Sequence, residues 1–145
     1  MLKHILLATD GSAASDHAAA LAVDLARNMG AKLTALYAVD PYPYLGVGEV
    51  SADGLQYYMS AAQQDAAAAH AKVAALCSQD KPVTLIPVTV EDRAVASAIL
   101  EYAHGQDVDL IVVGSHGRSG IARLLLGSTA TKVLAESKLP VLVAR

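Results

Sequence analysis

Aromatic residues and cysteine are scarce in this sequence. Its 145 residues include no Trp, no Phe and six Tyr, so a stacking platform for single-stranded nucleic acid is not expected. The single cysteine, Cys77, excludes an internal disulfide. We interpret Cys77 as a small apolar residue that packs on a helix.

Charge is scarce as well, and it is not concentrated in any segment. Charged residues make up 17% of the chain, the formal net charge is −3, and Lys and Arg are scattered. A basic surface for DNA or RNA is therefore not expected. No run reaches the roughly 20 consecutive apolar residues of a membrane-spanning helix, and the first residues lack the pattern of a signal peptide. We expect a cytoplasmic protein whose partners include neither nucleic acid nor a membrane.

Aliphatic residues, in contrast, are abundant. The apolar fraction of 54% excludes a disordered chain. A length of 145 residues is usual for one domain with a buried core. We therefore predict a single domain over residues 1–145.

Five short apolar runs alternate with helix-like segments. Leu110–Val113 is apolar throughout, which is typical of a central strand covered on both faces. Lys32–Val39 and Val83–Val90 are more mixed, which indicates strands nearer an edge. The predicted strands are Ile5–Thr9, Lys32–Val39, Val83–Val90, Leu110–Val113 and Pro140–Ala144.

The intervening segments carry a helical period. Ser12 and Gly30 are predicted to cap the first helix, and Asp92 to cap the third. The predicted inward-facing positions are Ala14, Ala18, Leu21, Leu25 and Met29, then Leu55, Met59, Ala62, Ala66, Ala69, Val73 and Leu76, then Val95, Ile99 and Tyr102, then Ala130, Val133 and Leu134. Because strands alternate with helices, we predict an α/β fold, an open doubly wound parallel five-stranded sheet with helices on both faces. Ligands of such sheets bind beyond the carboxyl ends of the strands.

Three candidate binding residues stand at the end of the first predicted strand, namely Thr9, Asp10 and Gly11. Asp10 stands at the junction of strand and helix, between Thr9 and Gly11. Its carboxylate either accepts hydrogen bonds from a ribose hydroxyl or an adenine amino group, or caps the next helix. The long connection Asp40–Asp53 is either a binding loop over the same edge or a surface loop.

The fourth predicted strand leads into a glycine-rich segment with the pattern Gly-x2-Gly-x9-Gly-Ser. Glycine lets backbone N–H groups approach phosphate oxygens closely, and the free N–H groups at the start of the last helix favour an anion. We predict that both ends of the segment bind phosphate and that the residues between them, including Ile121 and Leu124–Leu126, form a short apolar helical turn that fixes the spacing. The candidate residues are Gly114, Ser115, His116, Gly117, Arg118, Gly127, Ser128, Thr129 and Ala130.

Familiar phosphate-binding and hydrolase motifs do not fit this segment. Gly-Lys-Ser/Thr of the Walker loop is absent at the required spacing, and the first strand-to-helix turn lacks Gly-x-Gly-x-x-Gly. Ile121 stands where a nucleophile elbow needs its last glycine. No carboxylate or Lys has the position of the catalytic groups of phosphoryl transfer. A binding protein is therefore favoured over an enzyme.

Histidine and arginine side chains leave alternatives open. His116 either contacts a phosphate or ribose, or holds the loop through a backbone hydrogen bond. Arg118 and Arg123 either approach the phosphates or are solvated. The remaining histidines have no metal-ligand spacing and are predicted to be surface or boundary residues, namely His4, His17, His70 and His104.

With these motifs in place, the whole chain resembles the universal stress protein family. The resemblance rests on Ile5-Leu-Leu-Ala-Thr-Asp-Gly-Ser, on Leu110-Ile-Val-Val-Gly-Ser-His-Gly-Arg, on Leu126-Gly-Ser-Thr-Ala and on Pro140-Val-Leu-Val. It implies the adenine nucleotide alpha hydrolase-like fold, with strand order 3-2-1-4-5, and ATP as ligand. It also implies that Asp10 contacts the nucleoside and that the backbone of Ala38 and Val39 lies against adenine. The ribose- and phosphate-binding positions would be Gly114, His116, Gly117, Gly127, Ser128 and Thr129.

The resemblance further implies a homodimer formed through the last strand, at Val141, Leu142 and Val143. An unpaired apolar edge strand is unfavourable on physical grounds as well.

Glu91-Asp92-Arg93 departs from the family pattern, because many members have a Gly, often followed by Pro, at this place. Its two carboxylates either lower the affinity for a polyphosphate or help to hold Mg²⁺. The expected function is that of a dimeric, nucleotide-responsive stress regulator. The alternatives are a slow ATPase or phosphotransferase, and a module that binds AMP or cyclic AMP.

Overall fold

The computed structural model describes residues 1–40, 52–91, 93–117 and 125–145. Within these ranges the chain forms five strands and four helices in alternation. The strands are β1 (His4–Ala8), β2 (Lys32–Ala38), β3 (Leu85–Val90), β4 (Leu110–Gly114) and β5 (Val141–Ala144). The helices are α1 (Ala13–Met29), α2 (Ala52–Cys77), α3 (Val95–Gly105) and α4 (Ser128–Glu136).

The strands form one parallel sheet with the order β3-β2-β1-β4-β5. Alternate residues of the central strands enter two separate cores, as the period of a strand requires. Ile5 and Val112 pack with α1 and α2 on one face, whereas Leu6 and Ile111 pack with α3 and α4 on the other. The predicted fold class and strand order are confirmed. β3 is an edge strand, as predicted, whereas β2 lies inside the sheet and is largely buried.

The first helix shows how small residues determine the packing distance. Its predicted caps are confirmed: Ser15 N donates to Ser12 Oγ at 3.3 Å, and Gly30 has φ 66. The predicted inward face was partly wrong, because Met29 is 46% exposed. The buried positions are Ser15, Ala18, Ala19, Ala22, Val23 and Ala26. Alanines let this helix lie close to the sheet, and the larger aliphatic side chains are displaced toward its flanks.

Two further predictions about helices were wrong. α3 begins at Val95, and its N-cap residue is Ala94 rather than the predicted Asp92; no described side chain caps it, and Asp92 itself lies outside the described residues. The position of α3 is determined by core packing through the fully buried Ile99, which outweighs a cap of about 1 kcal/mol. Leu134 on α4 is 42% exposed, because Val133 takes the inward position.

His4 is buried, although it was predicted to lie at the surface or its boundary. Only 2% of the residue is exposed. Its Nδ1 donates to the carbonyl of Gln106 at 2.9 Å, so Nε2 accepts from the Thr34 hydroxyl at 2.8 Å. Burial lowers the pKa of His4 below its ordinary value of 6.5. The side chain is therefore a neutral part of the core at the amino-terminal end of the sheet.

Cys77 is buried on α2 as predicted, and burial raises the pKa of its thiol.

The neutral His4 predicts that the free energy of unfolding falls as the pH decreases below 6.5. In that range the unfolded chain binds a proton that the folded protein resists, so protonation favours unfolding. Urea unfolding at a series of pH values should show this loss in the wild-type protein and a smaller loss in His4→Gln. His17→Gln, a change at an exposed histidine, is the control and should retain the wild-type pH dependence. An equal loss in His4→Gln would contradict the prediction.

Candidate functional site

A cleft of ≈ 420 Å³ opens at the carboxyl ends of β1, β2 and β4. Ligand sites in proteins have volumes of about 300–1,000 Å³, so the cleft has the size of a small-molecule site. The predicted site residues that line it are Thr9, Asp10, Ala38, Val39, Gly114, Ser115, His116, Gly117, Gly127, Ser128, Thr129 and Ala130. Gly11 lies behind Asp10 and under α2, and Arg118 is outside the described residues.

The turn after β1 gives Asp10 a defined orientation. Ser12 N donates to Asp10 Oδ1 at 2.9 Å, and Gly11 N donates to Thr9 Oγ1 at 3.2 Å. Gly11 has φ 75, a conformation that favours glycine. The cap of α1 is Ser12, so Asp10 does not have that role. Its carboxylate instead closes a local turn and lines the cleft.

Asp10 and Gly117 of the glycine-rich segment are close neighbours in the lining of the cleft. A Cβ atom built on Gly117 would lie 3.3 Å from Asp10 Oδ2, which is tighter than an ordinary van der Waals contact. A side chain at residue 117 would therefore crowd the carboxylate. The cleft keeps its width at this point because residue 117 is glycine.

The two ends of the glycine-rich segment are in direct contact. Gly127 N donates to the carbonyl of Ser115 at 2.7 Å, and Ser115 N donates to the carbonyl of Ala144 at the same distance. A Cβ atom on Gly127 would lie 3.2 Å from the Ser115 carbonyl oxygen. The segment thus leaves β4 and returns to the same place. Ile121 and Leu124 lie outside the described residues, and Leu125 is 72% exposed and not helical.

α4 begins at this contact and its amino end faces the cleft. Gly127 is its N-cap, no side chain among the described residues caps it, and Ser128, Thr129 and Ala130 line the cleft. The first N–H groups of a helix have no partner within the helix and carry its positive dipole end. The arrangement is suited to an anion.

His116 stands at the edge of the cleft and is partly exposed. Its Nδ1 is 2.9 Å from the hydroxyl of Ser115, whose own backbone joins β5 and Gly127. The imidazole is therefore held by a residue that is part of the junction. This side-chain bond was not among the two alternatives for His116 expected from the sequence.

One wall of the cleft comes from α2 and was missed in the sequence. Tyr58, Ala61, Ala62 and Asp65 line it at helical spacing, and the Tyr58 hydroxyl donates to the carbonyl of Asp40 at 2.7 Å. Ala62 belongs to the apolar stripe that predicted the inward face of this helix. That stripe gives no indication that its first part faces a cleft rather than the sheet.

Charge in the cleft is unevenly distributed. The charged side chains among the described lining residues are acidic, namely Asp10, Asp40 and Asp65, and Arg118 and Arg123 lie outside the described residues. Across the described parts of the chain, no group of three or more His, Cys, Asp or Glu side chains is placed to hold a metal ion. The prediction for Glu91 and Asp92 stays a prediction, because Asp92 is not described.

No helix among the described residues has the length and apolar character needed to cross a membrane.

Comparisons with known proteins agree with this architecture. A universal stress protein of Thermus aquaticus is 37% identical over 146 aligned positions, which cover 100% of both chains. The solved structure of the universal stress protein UspA from Lactobacillus plantarum matches with a TM-score of 0.79 and 28% identity, over 99% of this chain and 98% of that one.

A second solved structure is a universal stress protein in complex with cAMP. It is 26% identical, with a TM-score of 0.67, and the match covers 99% of this chain and 97% of that one. The sequence pattern described as the universal stress protein family matches residues 1–145. The chain belongs to the universal stress protein family.

Proposed function

We propose that this chain binds ATP, or a related adenine nucleotide, in the cleft and acts as a homodimeric, nucleotide-responsive stress regulator. The observation that carries the proposal is the junction of Ser115 and Gly127, which brings the glycine turn after β4 and the amino end of α4 to one point. The N–H groups of Ser115 and Gly127 are used within the junction, so the proposed donors to phosphate oxygens are those of the neighbouring residues, His116 and Gly117 on one side and Ser128 and Thr129 on the other.

The base would occupy the other end of the cleft. Ala38 and Val39 follow β2 there, and Ala61, Ala62 and Val95 supply further apolar surface. Val39 N donates to the carbonyl of Val90 at 2.8 Å, so that N–H group is already used. A base in this place would contact Val39 through its side chain and carbonyl. The carboxylates of Asp10 and Asp65 accept hydrogen bonds only, which favours ribose hydroxyls and an exocyclic amino group as their partners.

The phosphate charge would be balanced mainly by the backbone, because the described lining residues include no Lys or Arg. Arg118 and Arg123 are proposed as additional contacts. The described side chains do not form a Mg²⁺ site by themselves. A bound Mg²⁺ ion would therefore take its ligands from the phosphates and water, as this ion commonly does.

Cyclic AMP is the second candidate ligand. A family member that is 26% identical was solved in complex with it. A cyclic monophosphate also brings less negative charge into a cleft whose described charged side chains are acidic. Titration of the dialysed protein with ATP, AMP and cAMP, together with mass spectrometry of any ligand that co-purifies, distinguishes the candidates. Turnover of ATP at about 1 s⁻¹ or faster, as in kinases, would favour the alternative of an enzyme.

Gly117→Val is expected to weaken ATP binding strongly. The new side chain would enter the cleft beside Asp10 Oδ2, where even a Cβ atom is at 3.3 Å. If overpacking of this kind costs about 1–3 kcal/mol in the complex, calorimetric titration should show a Kd raised by about 5- to 150-fold. Gly105→Val is the matched control, because a Cβ atom at the end of α3 meets nothing within 4 Å. Retained ATP binding in Gly117→Val would contradict the site.

The homodimer is proposed to form through β5, the edge strand next to β4. Pro140 and Ala144 accept hydrogen bonds from β4, so the backbone groups of Val141 and Val143 point away from it, toward a partner.

Val143→Pro is expected to shift the protein from dimer to monomer. It removes an outward N–H group, whereas Val143→Thr keeps that group and the branched shape and should remain dimeric. Light scattering after size-exclusion chromatography gives the mass of each variant. A dimeric Val143→Pro protein would contradict this interface.

A further inference from the structure

α2 reaches past the cleft and supports the turn that carries Asp10. A Cβ atom on Gly11 would lie 3.2 Å from the Cβ of Ala69, so the helix packs directly against this glycine. One turn further on, Lys72 Nζ donates to the carbonyl of Gly11 at 2.9 Å. It also lies 3.2 Å from Asp16 Oδ1 on α1.

A single peptide group connects Lys72 with Asp10. The carbonyl of Gly11 and the N–H of Ser12 belong to the same planar unit and point in opposite directions. Lys72 holds the carbonyl, and the N–H donates to Asp10 Oδ1 at 2.9 Å. Rotation of this peptide would break both hydrogen bonds at once. Glycine at residue 11 makes such a rotation easy, because glycine has no Cβ to oppose it.

The orientation of this peptide fixes the rotation of the Asp10 carboxylate through the hydrogen bond from Ser12. While Oδ1 accepts from Ser12, Oδ2 lies on the side of Gly117. An ammonium group on the carbonyl also polarises the peptide and strengthens its N–H as a donor. Lys72 does not line the cleft, so it would influence an uncharged ligand through the turn that it holds rather than by direct contact.

We propose that Lys72 is a positioning residue of the nucleotide site, which fixes the Gly11–Ser12 peptide and thereby orients Asp10 toward the nucleoside. The proposal rests on the proposed function. It gives α2 two roles in the same site, since Ala62 and Asp65 form the wall and Lys72, further along the helix, holds the turn opposite.

The test is the affinity of Lys72→Met for adenosine and for ATP. Loss of one solvent-exposed charged hydrogen bond should raise both Kd values by about fivefold. The uncharged ligand is informative because a general loss of positive charge would weaken ATP binding alone. Lys81→Met is a matched loss of charge at an exposed lysine and should leave the adenosine Kd unchanged.

Three variants separate positioning from general stability. Lys72→Arg keeps a cationic donor and should restore the wild-type affinity. Asp16→Asn removes the ion pair but leaves the bond to Gly11, and should also bind like the wild type. In an Asp10→Ala background, Lys72→Met should have no further effect, because the carboxylate that it orients is gone.

A measurement without ligand completes the design. The amide of Ser12 should exchange with solvent faster in Lys72→Met than in the wild type or Asp16→Asn. Unchanged adenosine affinity or unchanged Ser12 exchange in Lys72→Met would overturn this inference while leaving the proposed function intact. A wild-type protein that binds none of adenosine, ATP, AMP and cAMP would instead overturn the proposed function, and the positioning role would fail with it.

Discussion

The parallel pairing of β1 with both β2 and β4 is the constraint on which the rest of the structure depends. From this central strand the chain builds outward in one direction to β2 and β3, and in the other to β4 and β5. The segments that follow β1 and β4 therefore diverge, and a cleft opens between them at the carboxyl ends. This divergence places the turn at Asp10 and the junction of Ser115 with Gly127.

Much of the fold follows from local pattern. The continuous apolar run of β4 identifies a strand buried on both faces, and Ser12 and Gly30 identify the ends of α1. The inward face of that helix was harder to predict, because the helical period of apolar residues in the sequence is judged mainly from the large aliphatic ones. In the folded protein the closest contacts are made by alanines such as Ala22, and hydropathy alone does not express how near two elements approach.

The candidate site also contains residues that the sequence identified and residues that it did not. Residues next to strand ends were identified from the sequence, since parallel strands bring their carboxyl ends to one edge. Tyr58 and Asp65 were missed because they lie within a helix, and only the position of α2 over the sheet brings them to the cleft. His4 was missed for a related reason. Its burial depends on Thr34 and Gln106, which are distant along the chain and became its hydrogen-bond partners only through folding.

The hydrogen bond between Ser115 and Gly127 has a consequence for the length of the segment that it closes. This bond joins Ser115 directly to Gly127 and so holds the two predicted phosphate-binding turns together. A loop closed in this way changes its closure entropy only slowly with length, by about 0.6 kcal/mol for a doubling. A spacer with a few residues more or fewer would leave both anchors in place. The contact between Ser115 and Gly127 therefore tolerates a change in the number of residues between Gly117 and Gly127, which is nine in this chain.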